Sequence, residues 1–341
     1  GFLQILCGGA DLGRYLCQHP GIETVHITGS DRTHDAIVWG TSEPRTEPIL
    51  QKPITSELGC VTPVLVVPGN WSTSDLAYQA RHVASMVVHN ASFNCVAAKA
   101  IVLAKGWHQR EEFLRLLHQE FVKIAPRNAY YPGAQERYQA FLDRYPNAQA
   151  FSDRTSEIIP WTVISDVPPT DHEYALNTEA FCGVIAEVNL ETTTTTEFLT
   201  QAVTFVNQKV WGNLSCVVLI DPKTRKQYQK EFDAAIAALN YGAIGVNVWT
   251  GVVYAIPDLS WGAFPGNPLS EIRSGRGVVH NAALFDFPQK SVLSAPFRIR
   301  PIPFWFANHR NLLSFAKRAA ELQVSPTWIN FLKVVMAALK G

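Results

Sequence analysis

Residues 21–39 have the sequence GIETVHITGSDRTHDAIVW, in which a β-branched run, a Thr-Gly-Ser turn and an amphipathic segment follow one another. A β-branched run that ends at a glycine turn is typical of a strand, and the periodic apolar residues after Ser30 are typical of a helix. The preceding residues have the same order, because an apolar run at 2–7 is followed by two glycines and an amphipathic segment at 11–18. Two successive strand–helix pairs predict a parallel α/β sheet.

The alternation continues along most of the chain after a proline-rich connection at 43–54. Short runs of Val, Ile, Leu and Ala predict buried strands, and longer amphipathic segments predict helices. The predicted strands cover 63–67, the end of 95–105 after a helical turn, 186–188, 216–220 and 245–249. The predicted helices cover 72–90 with Ser72 or Thr73 as cap, 109–123, 135–144, 197–208, 223–239, 310–322 and 326–339, whereas 257–303 is predicted to be loop.

The composition predicts a folded chain with a large core. Hydrophobic residues make up 47% of the 341 residues and charged residues 17%, which excludes an intrinsically disordered protein. Lys plus Arg and Asp plus Glu are both 29, so the formal net charge is zero, and neither nucleic acid nor an anionic membrane is predicted as a partner. The uncharged stretch between Asp233 and Asp258 is interrupted by glycines and asparagines, which argues against a membrane span.

The cysteines indicate the compartment. They occur at 7, 17, 60, 95, 182 and 216, and no two have the C-x-x-C spacing of a zinc or dithiol site, so no metal site is predicted. Their flanks are apolar and no signal-peptide pattern is visible. Free thiols in a reducing, cytoplasmic compartment are therefore expected.

Two glycine-containing turns are candidates for a phosphate site. The stretch GGADLG at 8–13 nearly matches a dinucleotide fingerprint, although Ala10 replaces its second glycine. The turn at Gly29 and Ser30 places backbone N–H groups and a hydroxyl at a predicted helix N-terminus, where the helix dipole favours a phosphate. A tight turn in the first case and an ordinary capped helix in the second are the alternatives.

Cys95 and Glu57 are the candidates for covalent chemistry. Cys95 precedes small residues at a predicted helix start, where free N–H groups lower the pKa of a thiol. Glu57 lies between the proline-rich connection and an apolar strand, which fits a partly desolvated general base. An inert core thiol and a solvated loop carboxylate are the alternatives.

Four motifs occur in a defined order along the chain: ITGS at 27–30, ELG at 57–59, FNCVAA at 93–98 and EAF at 179–181. Together with AIGVNV at 243–248 they resemble the aldehyde dehydrogenase superfamily, and the resemblance covers most of residues 2–290. It implies an α/β, aldehyde-dehydrogenase-like fold. The implied organisation is a partial Rossmann-type cofactor domain at 1–57, an α/β catalytic domain at 58–288 and a C-terminal helical segment at 289–341.

The resemblance implies that an aldehyde is oxidised to a carboxylic acid through a covalent intermediate. Cys95 would add to the aldehyde carbonyl as nucleophile, giving a thiohemiacetal and, after hydride loss, a thioester. Glu57 would activate the water that hydrolyses the thioester. A homo-oligomer is compatible with this reading.

The resemblance also implies a nicotinamide cofactor, NAD or NADP. Gly29 and Ser30 would contact its pyrophosphate, Glu179 would bind the hydroxyls of the nicotinamide ribose, and Phe181 would pack near the nicotinamide.

The sequence departs from the family pattern at several positions. Cys60 replaces the second glycine of E-L-G-G, and Ser92-Phe93 replaces the usual G-Q before the nucleophile. The family's upstream P-W-N and K-P-[SA]-E motifs have no counterpart here, so a large fragment with weak activity is expected. The alternatives are a degenerate, non-catalytic member with an assembly or binding role, and an acylating enzyme that transfers the thioester to coenzyme A.

Overall fold

The computed structural model describes residues 2–40, 47–281 and 283–341. The strands are β1 Val25–Gly29, β2 Ile54–Leu58, β3 Thr62–Val66, β4 Ala98–Ala104, β5 Gln149–Ala150, β6 Thr162–Ile164, β7 Val184–Leu190, β8 Ser215–Leu219, β9 Ala243–Val246, β10 Gly275–Arg276 and β11 Ser291–Ser294. The helices are α1 Ala10–Gln18, α2 Asp31–Trp39, α3 Thr73–Val88, α4 Arg110–Lys123, α5 Ala134–Arg144, α6 Tyr174–Asn177, α7 Thr195–Lys209, α8 Pro222–Gln227, α9 Gln229–Ala238, α10 Thr250–Ala255, α11 Leu312–Val324 and α12 Trp328–Ala338.

The larger sheet has the strand order β11-β9-β8-β3-β4-β7-β6-β5. Its neighbouring strands pair in parallel, except that β5 is antiparallel to β6. Strands β3, β4, β8 and β9 are buried at every residue, as expected where helices cover both faces of a parallel sheet. This sheet therefore forms the hydrophobic core.

The smaller sheet consists of β1, β2 and β10. Strand β2 lies in the middle, parallel to β1 and antiparallel to β10. The chain crosses from β2 into β3 of the larger sheet through only Gly59, Cys60 and Val61. Gly59 is required there, because a Cβ at this position would lie 2.0 Å from Oε2 of Glu179. The two sheets therefore meet beside the end of β2.

Several predicted elements are confirmed. Helix α2 covers 31–39 as predicted, and Ser72 caps α3 through a capping box with Asp75. The parallel α/β fold class is confirmed as well. The domain boundaries at 57 and 288 stay a prediction.

One predicted strand is wrong, and two further predicted elements are wrong in part. Residues 2–7 form no strand, because no described strand lies beside them and their apolar side chains remain exposed. The predicted helix at 223–239 is divided at Tyr228, whose ring packs against the core. Strand β9 ends at Val246, because Asn247 has φ +60° and its side chain bonds the backbone of Ile220.

The predicted loop at 257–303 contains two strands that the sequence analysis did not identify. They are β10, which completes the smaller sheet, and β11, which pairs with β9 at the edge of the larger sheet. Both are short, so neither has the length that periodicity needs to be recognised. Among the described residues, no helix has both the length and the apolar composition needed to cross a membrane.

Candidate active site

A cleft of about 2110 Å³ opens between the two sheets. Its walls include the ends of β1 and β2, the loops before β4 and β7, the end of α4 and the segment before α11. Six of the candidate site residues line this cleft, namely Gly29, Ser30, Glu57, Cys95, Glu179 and Phe181, whereas no residue of the other candidate phosphate turn, at 8–13, does. Positions separated by up to 152 residues of sequence therefore share one cavity.

Cys95 and Glu57 are in direct contact. The thiol of Cys95 donates a hydrogen bond to Oε1 of Glu57, with 3.2 Å between the two atoms. Glu57 lies in the central strand of the smaller sheet and is only 4% exposed. A buried carboxylate at this distance is within reach of the thiol proton.

The predicted helix start at Cys95 is wrong. A turn at His89–Ser92 with left-handed backbone angles precedes Cys95, and the turn that contains the thiol enters strand β4 directly. Burial, the charge of Glu57 and the charge of Glu179 together raise the pKa of the Cys95 thiol well above its usual value. The sequence predicted that helix N–H groups lower the pKa of Cys95, whereas its surroundings in the structure raise it.

Side chains on both sides of Cys95 fix its turn. Nδ2 of Asn94 donates to the carbonyl of His89 at 2.9 Å, and the indole of Trp249 donates to the carbonyl of Val96 at 2.9 Å. The rings of His89 and Trp249 lie 4.5 Å apart. The turn is thus bonded both to its own loop and to the segment after β9.

Glu179 presents an unsatisfied acceptor to the cleft. Its Oε1 is buried and has no hydrogen-bond partner among the described residues. Burial raises the pKa of Glu179 to about 7, while the charge of Lys99 and the backbone N–H of Cys60 oppose the rise. A ligand with hydroxyl donors would satisfy this oxygen.

Lys99 is a buried cation that the sequence analysis did not identify. Its Nζ donates to Oγ of Ser92 at 2.7 Å, to the carbonyl of Ser92 at 3.3 Å and to the carbonyl of Cys182 at 2.8 Å. Burial lowers the pKa of Lys99 to about 8. The available signal was a single lysine within VAAKAIVL, because a charge in a buried strand needs partners.

Gly29 and Ser30 lie where β1 ends and α2 begins. The Ser30 hydroxyl caps α2 by accepting the backbone N–H of Thr33 at 3.1 Å. The first turn of α2, including Asp31 and Arg32, also lines the cleft. An anion could approach the positive end of α2 from this side, although the Asp31 carboxylate lies in the same turn.

Phe181 belongs to a cluster of rings on the cleft wall. It has φ +41°, and its ring lies 4.9 Å from Tyr131 and 6.0 Å from Phe93. Arg137 lies 5.9 Å from the rings of Phe181 and Tyr131 and donates to the carbonyls of Ala180 and Phe181. The aromatic packing and the arginine together fix this left-handed residue.

The residues present fit a dinucleotide. The cleft contains a helix N-terminus for a phosphate and, at Glu179, a buried acceptor that lacks a donor. Across residues 2–40, 47–281 and 283–341, no group of three or more His, Cys, Asp or Glu side chains has the geometry of a metal site.

The sequence matches one family profile and is similar to a known dehydrogenase. The sequence profile described as "Aldehyde dehydrogenase family" matches residues 1–253. The 3,6-anhydro-alpha-L-galactose dehydrogenase of Streptomyces coelicolor is 26% identical over 136 residues, which cover 40% of this chain and 25% of that protein.

Solved structures share the fold at low sequence identity. The gamma-glutamyl-gamma-aminobutyraldehyde dehydrogenase of Burkholderia cenocepacia aligns with a TM-score of 0.62 and 16% identity, covering 81% of this chain and 52% of that chain. The NADP-dependent glyceraldehyde-3-phosphate dehydrogenase of Bacillus halodurans, solved with NADP, aligns with a TM-score of 0.61 and 19% identity, covering 80% of this chain and 52% of that chain. The chain spans about half the length of these structures.

Proposed function

The chain belongs to the aldehyde dehydrogenase family, and from this membership we propose that its cleft binds an aldehyde and NAD or NADP and oxidises the aldehyde to a carboxylic acid. The observation that supports the proposal most directly is the hydrogen bond of 3.2 Å between Sγ of Cys95 and Oε1 of Glu57. It joins a nucleophile to a base inside a cleft large enough for both ligands.

Cys95 is the proposed nucleophile. Its proton passes to Oε1 of Glu57, and the thiolate adds to the aldehyde carbon, so that a C–S bond forms while the carbonyl π bond opens. Because the pKa of Cys95 is raised, the thiol keeps its proton until this transfer. Glu57 therefore controls when the nucleophile forms.

Glu57 is proposed to act a second time, after it has passed that proton to solvent. Its carboxylate takes a proton from a water molecule, whose oxygen attacks the thioester carbon. The C–S bond then breaks, and the leaving Cys95 thiolate takes the proton back from Glu57. A thioester destined for coenzyme A has no need of a carboxylate that contacts the nucleophile. The position of Glu57 thus favours the hydrolytic reaction over the acylating one.

The proposed cofactor site comprises Gly29 and Ser30 for the pyrophosphate, Glu179 for a ribose and Phe181 beside the nicotinamide. The chemistry that a bound nicotinamide would supply is acceptance of the hydride from the substrate carbon. The buried Oε1 of Glu179 would accept hydrogen bonds from the ribose hydroxyls, and the N-terminus of α2 would attract the phosphates.

The test compares the chain with Cys95→Ser and Glu57→Gln, using short and aromatic aldehydes with NAD or NADP. We expect the absorbance of reduced nicotinamide to appear with the unaltered chain and to be abolished by Cys95→Ser. Glu57→Gln should accumulate a covalent adduct on Cys95 that mass spectrometry detects, because loss of the Glu57 charge still lets the thiol ionise, whereas thioester hydrolysis is slowed.

Cys7→Ser provides the matched control, because Cys7 is an exposed thiol outside the cleft, and this variant should behave like the unaltered chain. Turnover that survives Cys95→Ser would contradict the proposed nucleophile. Dinucleotide and aldehyde binding without any turnover or adduct would favour the non-catalytic alternative.

A further inference from the structure

Lys99 lies in strand β4, four residues after Cys95, and is only 3% exposed. Its three hydrogen bonds go to the carbonyl and hydroxyl oxygens of Ser92 and the carbonyl of Cys182. No ion pair of Lys99 with a carboxylate is found within the described residues. Burial of an ammonium is costly unless it is paired, so a cation bonded to neutral oxygens needs an explanation.

The first partner of Lys99 belongs to the loop that leads to Cys95. Asn90, Ala91 and Ser92 have φ values of 53°, 53° and 69°, a left-handed run that non-glycine residues rarely adopt. Such a conformation persists only where surrounding contacts determine it. The bonds from Lys99 to both oxygens of Ser92 supply such contacts.

The second partner belongs to the loop that carries the proposed cofactor residues. The Cys182 carbonyl follows directly after Phe181, which has φ +41°, and lies three residues from Glu179. One ammonium group therefore bonds the loop before Cys95 and the loop that contains Glu179. These loops precede β4 and β7, which are neighbours in the larger sheet.

The charge of Lys99 acts on Glu179 as well. The groups that influence the Glu179 carboxylate are Lys99, the backbone N–H of Cys60 and Arg137, which favour its charged form, and Asp31, which disfavours it. Glu179 in turn raises the pKa of the Cys95 thiol. Of the two cations, Lys99 lowers the pKa of Glu179 more than Arg137 does.

We propose that Lys99 is a positioning residue, which holds the loops of Cys95 and Glu179 in register and supplies the positive charge beside Glu179 when a dinucleotide binds. The second part of this proposal rests on the proposed function. A lysine with only a packing role would need neither its charge nor the two loop contacts.

The experiment measures the dissociation constant of NAD and NADP against pH for the full chain, Lys99→Met and Lys99→Arg. Because the pKa of Glu179 is about 7 and that of Lys99 is about 8, affinity in the unaltered chain should rise as pH increases through 7 and decline where Lys99 loses its charge. In Lys99→Met this midpoint should move upward by about one pH unit or more, since the charge that offsets burial of the carboxylate most strongly is removed. Lys99→Arg keeps the charge and should keep the midpoint.

Lys105→Met serves as the matched control, because Lys105 is an exposed lysine paired with Glu191 and should leave the profile unchanged. An equal loss of affinity at every pH in Lys99→Met would mean a merely structural role and would overturn the proposal. An unchanged profile would overturn it too.

Alkylation of Cys95 separates this proposal from the proposed function. If neither NAD nor NADP binds to the unaltered chain, the proposed function fails. Lys99→Met should even then raise the rate of iodoacetamide labelling at Cys95 several-fold relative to Cys7, because loss of the Lys99 hydrogen bonds to Ser92 loosens the turn that contains Cys95. Should Lys99→Met not fold, Ser92→Ala replaces it, since this variant removes the 2.7 Å bond and leaves the charge. An unchanged Cys95 rate in the variant tested would reject the positioning role.

Discussion

At Cys95, burial and two carboxylates act on the thiol in the same direction. Each disfavours the thiolate, so the pKa of Cys95 is raised well above its usual value. Glu57 contacts the thiol directly, so the carboxylate that raises this pKa is also the group to which the proposed mechanism passes the proton. The resting thiol is therefore protonated at neutral pH.

Glu57→Gln should make the Cys95 thiol ionise more easily. Removal of the charge 3.2 Å from Sγ should lower the midpoint of the pH–rate profile for alkylation. Rates of iodoacetamide labelling at Cys95, measured by peptide mass spectrometry against pH, give this midpoint. Cys7, which is exposed, provides the internal reference in both proteins. A midpoint that stays in place or rises would disprove the electrostatic account.

The order of the motifs in the sequence was enough to predict that Cys95 and Glu57 lie in one cleft, but it did not predict the raised pKa of Cys95. The motif order places both in one cleft, and the structure agrees. The pKa depends on what surrounds the thiol in three dimensions, and neither the turn at Cys95 nor the approach of Glu179 has a local signature. Lys99 was missed for the same reason, because its partners come from two separate loops.

At the scale of single elements, helix α3 connects the core to the segment before α11. His82 on this helix is fully buried, stacks on Phe306 with ring centroids 5.2 Å apart, and bonds Gln79 through Nδ1 at 3.2 Å. Burial lowers the pKa of His82 to about 3. The folded chain therefore keeps this imidazole neutral where the unfolded chain would protonate it.

The free energy of unfolding should decrease as the pH is lowered below the pKa that His82 has in the unfolded chain. Because the unfolded state binds the extra proton, the contribution from His82 declines between pH 6.5 and about 3 by about 1.4 kcal/mol per pH unit. His82→Gln should remove this part of the slope in urea denaturation at a series of pH values. His108→Gln, at an exposed histidine, should leave the slope as it is. Identical slopes for His82→Gln and the unaltered chain would contradict the assignment.

Helices could be predicted from the sequence where an amphipathic period extends over several turns and capping residues mark both ends. Helix α2 has a serine cap at Ser30 and a left-handed glycine after its last residue, and its bounds were predicted correctly. Residues 2–7 have strand composition, but a strand also needs a neighbour, which composition does not reveal. Strand β11 is short and forms only because β9 offers a free edge.

On the scale of the whole molecule, burial is concentrated in the larger sheet. Strands β3, β4 and β8 are buried throughout, whereas α1 and α11 contain no buried residue. Regions with few buried contacts open at low free energy, while core strands open only with global unfolding. The fold should therefore have a graded local stability.

Hydrogen exchange followed by mass spectrometry should show this gradient. Peptides from β3, β4 and β8 should exchange slowest, and peptides from α1 and α11 should exchange within the shortest labelling times. Helix α3 serves as the control, because it buries ten of its residues. All three elements are α-helices, so α1 and α11 differ from α3 in tertiary packing. Equal protection of α1 and α3 would contradict the gradient.

Glu57 belongs to the smaller sheet, and Cys95 to the turn that enters the larger one. The separation of their reacting atoms is therefore a mechanical property of the whole molecule, set by how far the two sheets slide or tilt past each other. A displacement of about 1 Å in reacting groups is enough to reduce a rate by about a hundredfold. A tensile load applied between β1 and β4, for example through tethered handles, should thus slow the proposed proton transfer from the thiol long before either sheet unfolds.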